Sequence, residues 1–395
     1  MFGHRSLRVP TTRVRGSAKL APALCIAEAR ELRLALLAMP TTLEIVRGRT
    51  PGFSVRRKRM IGLLALVASL VVVVVASLLI GSNLISPSLV WQGLWHSYIG
   101  DGIAENPQLN EAAIIVQTER IPRTLLALIV GAALGVAGAL MQGHTRNPIA
   151  DPGLLGIAQG AALAVVVAIF IGGITSPLQY IWFAFAGAAV ASVVVFGLSS
   201  IGGAAASPLT LVLAGTGVSF FLSAMTSAVA LSDQQSLEAL RFWNAGAVAG
   251  RGYDVIGVAA PFIVLGLVLA FANAPAVNLL NLGDDVARGL GQNVAAARSV
   301  GLLSVTLLAG AGTAACGSIA FLGLVVPHLA RYLTGPDHRW LLPYSGIAGG
   351  LVLLVADIVG RVVARPGELE AGIVVALVGA PCFVALVWWR RAVRL

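Results

Sequence analysis

Beyond residue 58 the chain contains no lysine; its two lysines are Lys19 and Lys58. A phosphate-binding P-loop needs Gly-x-x-x-x-Gly-Lys-Ser/Thr, because a lysine must reach the phosphates that the glycine-rich backbone cradles. The long remainder of the chain therefore cannot be a conventional ATPase. Charge of either sign is scarce, at 11% of residues against roughly 25% in soluble domains. The three cysteines, Cys25, Cys316 and Cys382, are too scattered for a disulfide framework or a zinc site and read as small buried hydrophobes. No catalytic triad or paired-carboxylate arrangement stands out, so no catalytic or metal-binding residue is assigned.

What the chain does have is apolar length. Of its 395 residues, 57% are hydrophobic, gathered in blocks of roughly twenty. That length crosses a ~30 Å hydrocarbon core at ~1.5 Å per residue. The blocks predict an all-α, polytopic membrane protein of about ten transmembrane helices; a transmembrane β-barrel would show short alternating segments instead. Ionisable residues deep inside the blocks are nearly missing, which argues against a proton- or sodium-coupled carrier. The formal net charge of +10 is unevenly placed. Residues 1–59 hold 13 basic and three acidic residues, whereas residues 60–395 hold 14 of each. Nothing in the membrane body therefore supports a nucleic-acid partner. The cluster Arg56, Arg57, Lys58 and Arg59 beside the first block sets that end in the cytoplasm and favours contact with anionic membrane lipid.

Residues 1–59 read as a basic extension, either a disordered tail or upstream sequence translated from a misassigned start; an amphipathic stretch over 20–39 is the alternative. Residues 60–395 form the transmembrane domain, with spans at about 60–80, 121–142, 155–172, 179–199, 209–231, 255–272, 299–316, 317–332, 341–361 and 369–389. Ten spans return both termini to the cytoplasm. An outer loop follows the first span, and the outer segment 232–254 is expected to hold a short interfacial helix. Gly131 and Gly135, with Gly138 close by, allow tight helix contact. Asp357 lies four residues before Arg361, the spacing of an intrahelical ion pair, and His328 reads as a structural histidine.

Between the sixth and seventh spans, on the expected cytoplasmic side, sits the polar island NAPAVNLLNLGDDVARGLGQNVAAAR (273–298). Asp284 and Asp285 suit the positive end of a short helix, and Gly291 can end one. Val286 and Leu290, four apart, share a face able to enter a groove.

Four stretches in order carry a resemblance. RIPRTLLALIVGAALGVAGALMQGHTRNPIADPGLLGIAQGAAL (120–163), LGDDVARGLGQNVAAAR (282–298), GSIAFLGLVVPHLARYLTGPDHRWLLPYSGIAGGLVLLVADIVGR (317–361) and ELEAGIVVALVGAPCFVALV (368–387) resemble the FecCD family, the permeases of bacterial ABC importers for ferric siderophores, haem and cobalamin. The resemblance runs from about residue 60 to the end and leaves 1–59 outside. It implies the type II ABC importer permease fold in the bacterial cytoplasmic membrane, moving ferric siderophores inward, with cobalamin or haem as the alternative cargo. It implies no cofactor on this chain, since ATP is used by separate ABC ATPase subunits. An extracytoplasmic substrate-binding protein and a second permease copy or paralogue are the other implied partners. Matching positions assign binding-protein docking to Arg120, Arg123 and Arg361. They assign ATPase coupling to Asp284, Asp285, Val286, Arg288, Leu290 and Gly291, and the translocation gate to Asn147, Ile149 and Ser207. Two other classes compete: an ion-coupled secondary transporter, and a membrane receptor or scaffold that binds a ligand protein without transport. The scarcity of buried charge counts against the first, and the coupling-segment match against the second.

Overall fold

The computed structural model describes residues 53–96, 107–199 and 208–392. Most of the basic extension and the gate residue Ser207 lie outside the described residues. The chain divides between Arg57 and Lys58, and the unit Lys58–Leu395 carries the sites below.

Among the described residues every regular element is helical. In chain order they are α1 (Phe53–Leu79), α2 (Pro87–Trp95), α3 (Pro107–Ile114), α4 (Ile121–Thr145), α5 (Ile157–Gly172), α6 (Pro177–Ser199), α7 (Pro208–Ser232) and α8 (Gln234–Ala245). There follow α9 (Tyr253–Leu280), α10 (Asp284–Gly289), α11 (Val294–Cys316), α12 (Leu322–Thr334), α13 (His338–Val363) and α14 (Ala371–Ala392). Each of the ten apolar segments coincides with a helix: α1, α4 to α7, α9 and α11 to α14. Seven of these are long and apolar enough to cross a membrane, while α5 and the apolar part of α14 are shorter. The remaining one, α12, has 13 residues.

The segment expected as a plain outer loop holds more structure than its composition suggested. Pro87 and Pro107 each open a helix, a position where proline's fixed φ is already helical and its missing N–H is not needed. After α3 the chain makes a π-helical turn, Ile115–Arg120, directly into α4. The expected short helix in the next such segment is α8, capped by the Asp233 carboxylate accepting from the Ser236 N–H at 2.8 Å.

Polarity is arranged for lipid rather than water. Met60, Ile61, Leu64, Val71, Val72 and Val75 on α1 are exposed, as are Leu209, Leu213, Phe220 and Phe221 on α7. The buried axis is α4, packed by α13, α11, α9 and α12. Its glycines decide how closely those neighbours approach. A Cβ on Gly131 would overlap the Gly349 carbonyl, one on Gly135 the Ser345 carbonyl, and one on Gly138 the Gly323 carbonyl. The helices thus touch backbone to backbone, the close contact that a small-residue stripe permits in lipid.

With 25 residues, α4 is about 37 Å long at 1.5 Å per residue, and its two ends define two regions. Arg120 and Arg123 stand where it begins, beside the end of α1 and the end of α13. Arg146 stands where it finishes, beside α10. At that second end Asn278 of α9 donates to Asp337 at 2.7 Å and accepts from the His338 N–H at 2.9 Å, tying the α9 end to the α13 start.

Leucine in place of Gly131 or Gly138 should destabilise the bundle by at least about 1–3 kcal/mol, the usual cost of overpacking. The check is the thermal midpoint and gel-filtration profile in detergent. Gly257→Leu, where nothing lies within 4 Å of the added carbon, should leave both unchanged.

Candidate functional site: an arginine cluster and an acidic turn at opposite ends

At the Arg120 end the organising group is Asp357, fully buried on α13. Arg361, one turn later, donates Nε to its Oδ2 at 3.0 Å and adds an Nη2 contact, so the expected intrahelical pair is present. Arg123 from α4 donates Nε to Oδ1 at 2.8 Å, with Nη2 at 2.7 Å from the same oxygen. One carboxylate therefore holds two guanidiniums from two helices. The remaining Arg123 nitrogen, Nη1, lies 2.6 Å from Glu368 Oε2.

The other donors of the cluster go to the end of α1. Arg361 Nη1 donates to the Ser77 and Ile80 carbonyls at 2.9 and 3.0 Å, and its Nη2 donates to Ser77 Oγ at 2.8 Å. Arg120 Nη1 donates to the Leu78 and Leu79 carbonyls at 2.7 and 3.1 Å, and Nη2 to that of Asn83 at 2.9 Å. Arg365 Nη2 takes the Gly81 carbonyl at 2.7 Å. A helix leaves its last four carbonyls without intrahelical partners, at the negative end of its dipole. Arg361 and Arg120 supply the missing donors to Ser77, Leu78 and Leu79, and Arg365 ties down the chain just past the helix end at Gly81.

Of the three arginines assigned to docking by resemblance, the structure buries two and leaves the third at the margin. Arg120 is 4% exposed and Arg361 2%. Their guanidiniums are spent on backbone because α1 ends against them. Arg123 keeps 12% of its side chain exposed and Glu368 30%, so that pair is the margin where the cluster meets its surroundings. Burial pushes the Glu368 carboxyl up, but the hydrogen bond and charge of Arg123 outweigh it and hold it below the ordinary range. Glu368, Arg365 and Ser77 were not foreseen. The density of charge in residues 361–370, between two apolar runs, is the signal that could have found the first two; a lone serine near the end of an apolar block gives none.

At the opposite end α10 is one and a half turns of helix outside the bundle. It is anchored by Ala287, buried in a small cluster with Leu280, Val294 and Ala297. Asp284 in the first turn pairs with Arg146, and with Arg298 of α11 at 2.8 Å. Asp285 points away and pairs with Arg288 at 2.9 Å. Gly291, at φ +83°, ends the turn as its spacing predicted. Its N–H and that of Gln292 reach the Arg288 and Ala287 carbonyls, both at 2.9 Å, the paired bonds of a Schellman cap. Val286 and Leu290 are 50% and 61% exposed, and Leu282 is exposed with them. The sequence-derived residues thus separate: Asp284 is an internal anchor, whereas Asp285, Val286, Arg288 and Leu290 face outward. Asn147 and Ile149 follow Arg146 at this end; the Asn147 side chain accepts from the Ile149 N–H at 3.1 Å, leaving Ile149 half-exposed.

A helical bundle with apolar exposed flanks, an axis of interlocked glycines and a polar, apolar-edged turn held outside it is the architecture of a polytopic membrane protein. The chain belongs to the FecCD transport family, whose profile matches residues 69–389. It is 41% identical over 341 residues to the ferric enterobactin transport system permease protein FepD of Escherichia coli (strain K12), covering 86% of this chain and 98% of that one. It is 37% identical over 330 residues to the hemin transport system permease protein HmuU of Yersinia pestis, covering 82% and 96%. A solved metal-chelate type ABC transporter in an inward-facing conformation matches with a TM-score of 0.70 at 29% identity, over 82% of this chain and 98% of the other. The protein is a multi-pass membrane permease of the ABC importer class.

Asp357→Ala strands Arg123 and Arg361 without their shared carboxylate and should cost about 3–5 kcal/mol. Glu368→Gln, at the margin, should cost no more than about 1 kcal/mol. Thermal unfolding of the two variants in detergent checks the contrast; equal midpoints would sink the view of Asp357 as the organising group.

Proposed function

We propose that this chain forms the membrane passage of an importer that carries ferric siderophore complexes inward across the bacterial cytoplasmic membrane. The names of relatives such as FepD support iron chelates as cargo, and the likeness to HmuU keeps haem as the second reading. Cobalamin stands behind both.

The carrying observation is the split of chemistry between the two ends. Arg59, Arg146, Arg298 and Arg339 gather at the α10 end, which the positive-inside rule sets in the cytoplasm. There Leu282, Val286 and Leu290 offer an apolar edge flanked by Asp285 and Arg288, suited to a groove on an ATPase subunit. ATP is bound and hydrolysed on that subunit, and this chain holds no cofactor. An extracytoplasmic binding protein docks at the Arg120 end, meeting Arg123 and the exposed Arg365, while Arg120 and Arg361 hold the rim in shape by capping α1. A second permease copy or paralogue completes the passage, with Asn147, Ile149 and Ser207 near its cytoplasmic mouth.

Proteoliposomes holding the permease, its ATPase and external binding protein should take up radiolabelled ferric siderophore only with ATP inside the ATPase-accessible compartment. Uptake that persists without the ATPase subunit would overturn the reading. Val286→Glu with Leu290→Glu should cut uptake at least about tenfold, the loss of roughly 1.4 kcal/mol of contact, with the thermal midpoint unchanged. Arg123→Glu should weaken docking mainly at low salt. Arg120→Glu and Arg361→Glu should instead lower the thermal midpoint, and unchanged midpoints would restore them to the docking surface.

A further inference from the structure

Two polar recesses lie side by side in the bundle. The inner, of about 210 Å³, is lined by Asp151, Gln159, Thr313 and Ser318 among apolar neighbours. The outer, of about 110 Å³, is lined by Thr226, Ser227 and Asn244, and shares Gln159 and Ser318 with the first. Ser227 and Asn244 are exposed, so the outer recess borders the surface. The inner one goes deep: it touches Leu134, about midway along α4.

Its walls include two stretches that leave α-helical geometry, the first ending in a short 3-10 turn, Pro152–Leu155. The segment after Arg146 turns back into the bundle and sets Pro152 against Gly323, which itself abuts Gly138 of α4. Opposite it, residues 317–321 leave helical geometry, with Phe321 in the left-handed region at φ +64°. Irregular backbone at membrane depth persists where protein buries it or where it borders water. One polar atom decides between these. Gln159 Oε1 is buried and has no hydrogen-bond partner, and a buried acceptor left unpaired is costly in proportion to how dry its surroundings are. The space beside it is ample for several waters, each occupying roughly 30 Å³. It falls short of the roughly 300 Å³ at which pockets begin to take larger organic ligands. The apolar groove of about 840 Å³ between α5, α6 and α7, lined by residues such as Leu163, Val190 and Phe221, offers water no such partners.

We propose that the inner recess is a water-binding chamber within the single chain, filled from the Ser227 and Asn244 margin. Ordered water donates to Gln159 Oε1 and bridges it to the side chains of Asp151, Thr313 and Ser318. The two irregular segments thereby have exchangeable hydrogen-bond partners at a depth where lipid supplies none.

The test is thiol chemistry in a chain carrying Cys25→Ser, Cys316→Ala and Cys382→Ser. Thr313→Cys and Gln159→Cys should react with the small cation 2-aminoethyl methanethiosulfonate at least about 100-fold faster than Val165→Cys. Val165 is buried like Thr313 but in apolar surroundings, where a thiol resists ionisation, so the Thr313→Cys rate carries the comparison and the partly exposed Gln159 site supports it. As a second measurement on the unaltered chain, X-ray hydroxyl-radical footprinting in ¹⁸O-water should label Ile157, which lines the chamber, well above Ile181, which is as buried but does not. Reaction of both cysteine variants at the Val165→Cys rate would overturn the proposal. So would equal labelling of Ile157 and Ile181.

Discussion

Inside a bilayer no water waits to satisfy a backbone carbonyl that a helix leaves over. The structure is shaped by where those carbonyls find donors. At the end of α1 they find Arg120 and Arg361, and Arg365 holds the chain that follows. The arginines in turn need counter-charge, and Asp357 supplies it to Arg361 and Arg123 together. Each member is tolerable because the others are present: a buried carboxylate alone, or a buried guanidinium alone, would cost several kcal/mol. The cluster therefore joins the end of α1 to α4 and α13 more firmly than apolar contact could. Lipid tails are as apolar as leucine, so burial against a neighbour gives little drive for helix association.

The same constraint explains the glycines. Where side chains cannot be driven together by the exclusion of water, close approach and dispersion must hold helices instead. Gly131, Gly135 and Gly138 let α4 meet α13 and the start of α12 at backbone distance. A side chain in any of these places would separate the helices along their length.

How far the sequence reaches can be judged from particular residues. Apolar blocks located a helix in each of the ten segments, seven of them long enough to cross the hydrocarbon core, whose thickness sets the length scale. The acidic turn was equally legible: Asp284, Gly291 and the Val286–Leu290 spacing are local signals, and local geometry decides α10. The arginine cluster was not. Nothing near Arg361 announces that its partners are the Ser77 and Ile80 carbonyls, 284 and 281 residues away. Motif resemblance picked out the arginines but not the burial of Arg120 and Arg361, since a motif records residue type and not burial. Likewise α2 and α3 escaped notice because, at nine and eight residues, they are too short to carry a readable helical period.

The two sites are far apart yet built on the same helices. Arg123 begins α4 and Arg146 follows its end; Asp357 and Arg361 lie late on α13 while Asp337 and His338 open it. Between these ends the pair is interlocked through Gly131, Gly135 and Gly349. Packed interiors shift as bodies rather than deforming continuously, so a change in how α1 is capped at one end has a stiff route to the Asp284 anchor at the other. The route leads to α10 through Asp284, which is held by Arg146 from α4 and by Arg298 from α11. Asp284 accordingly anchors the acidic turn rather than forming part of its outward surface. The side chains that the anchor leaves facing outward are Asp285, Val286, Arg288 and Leu290.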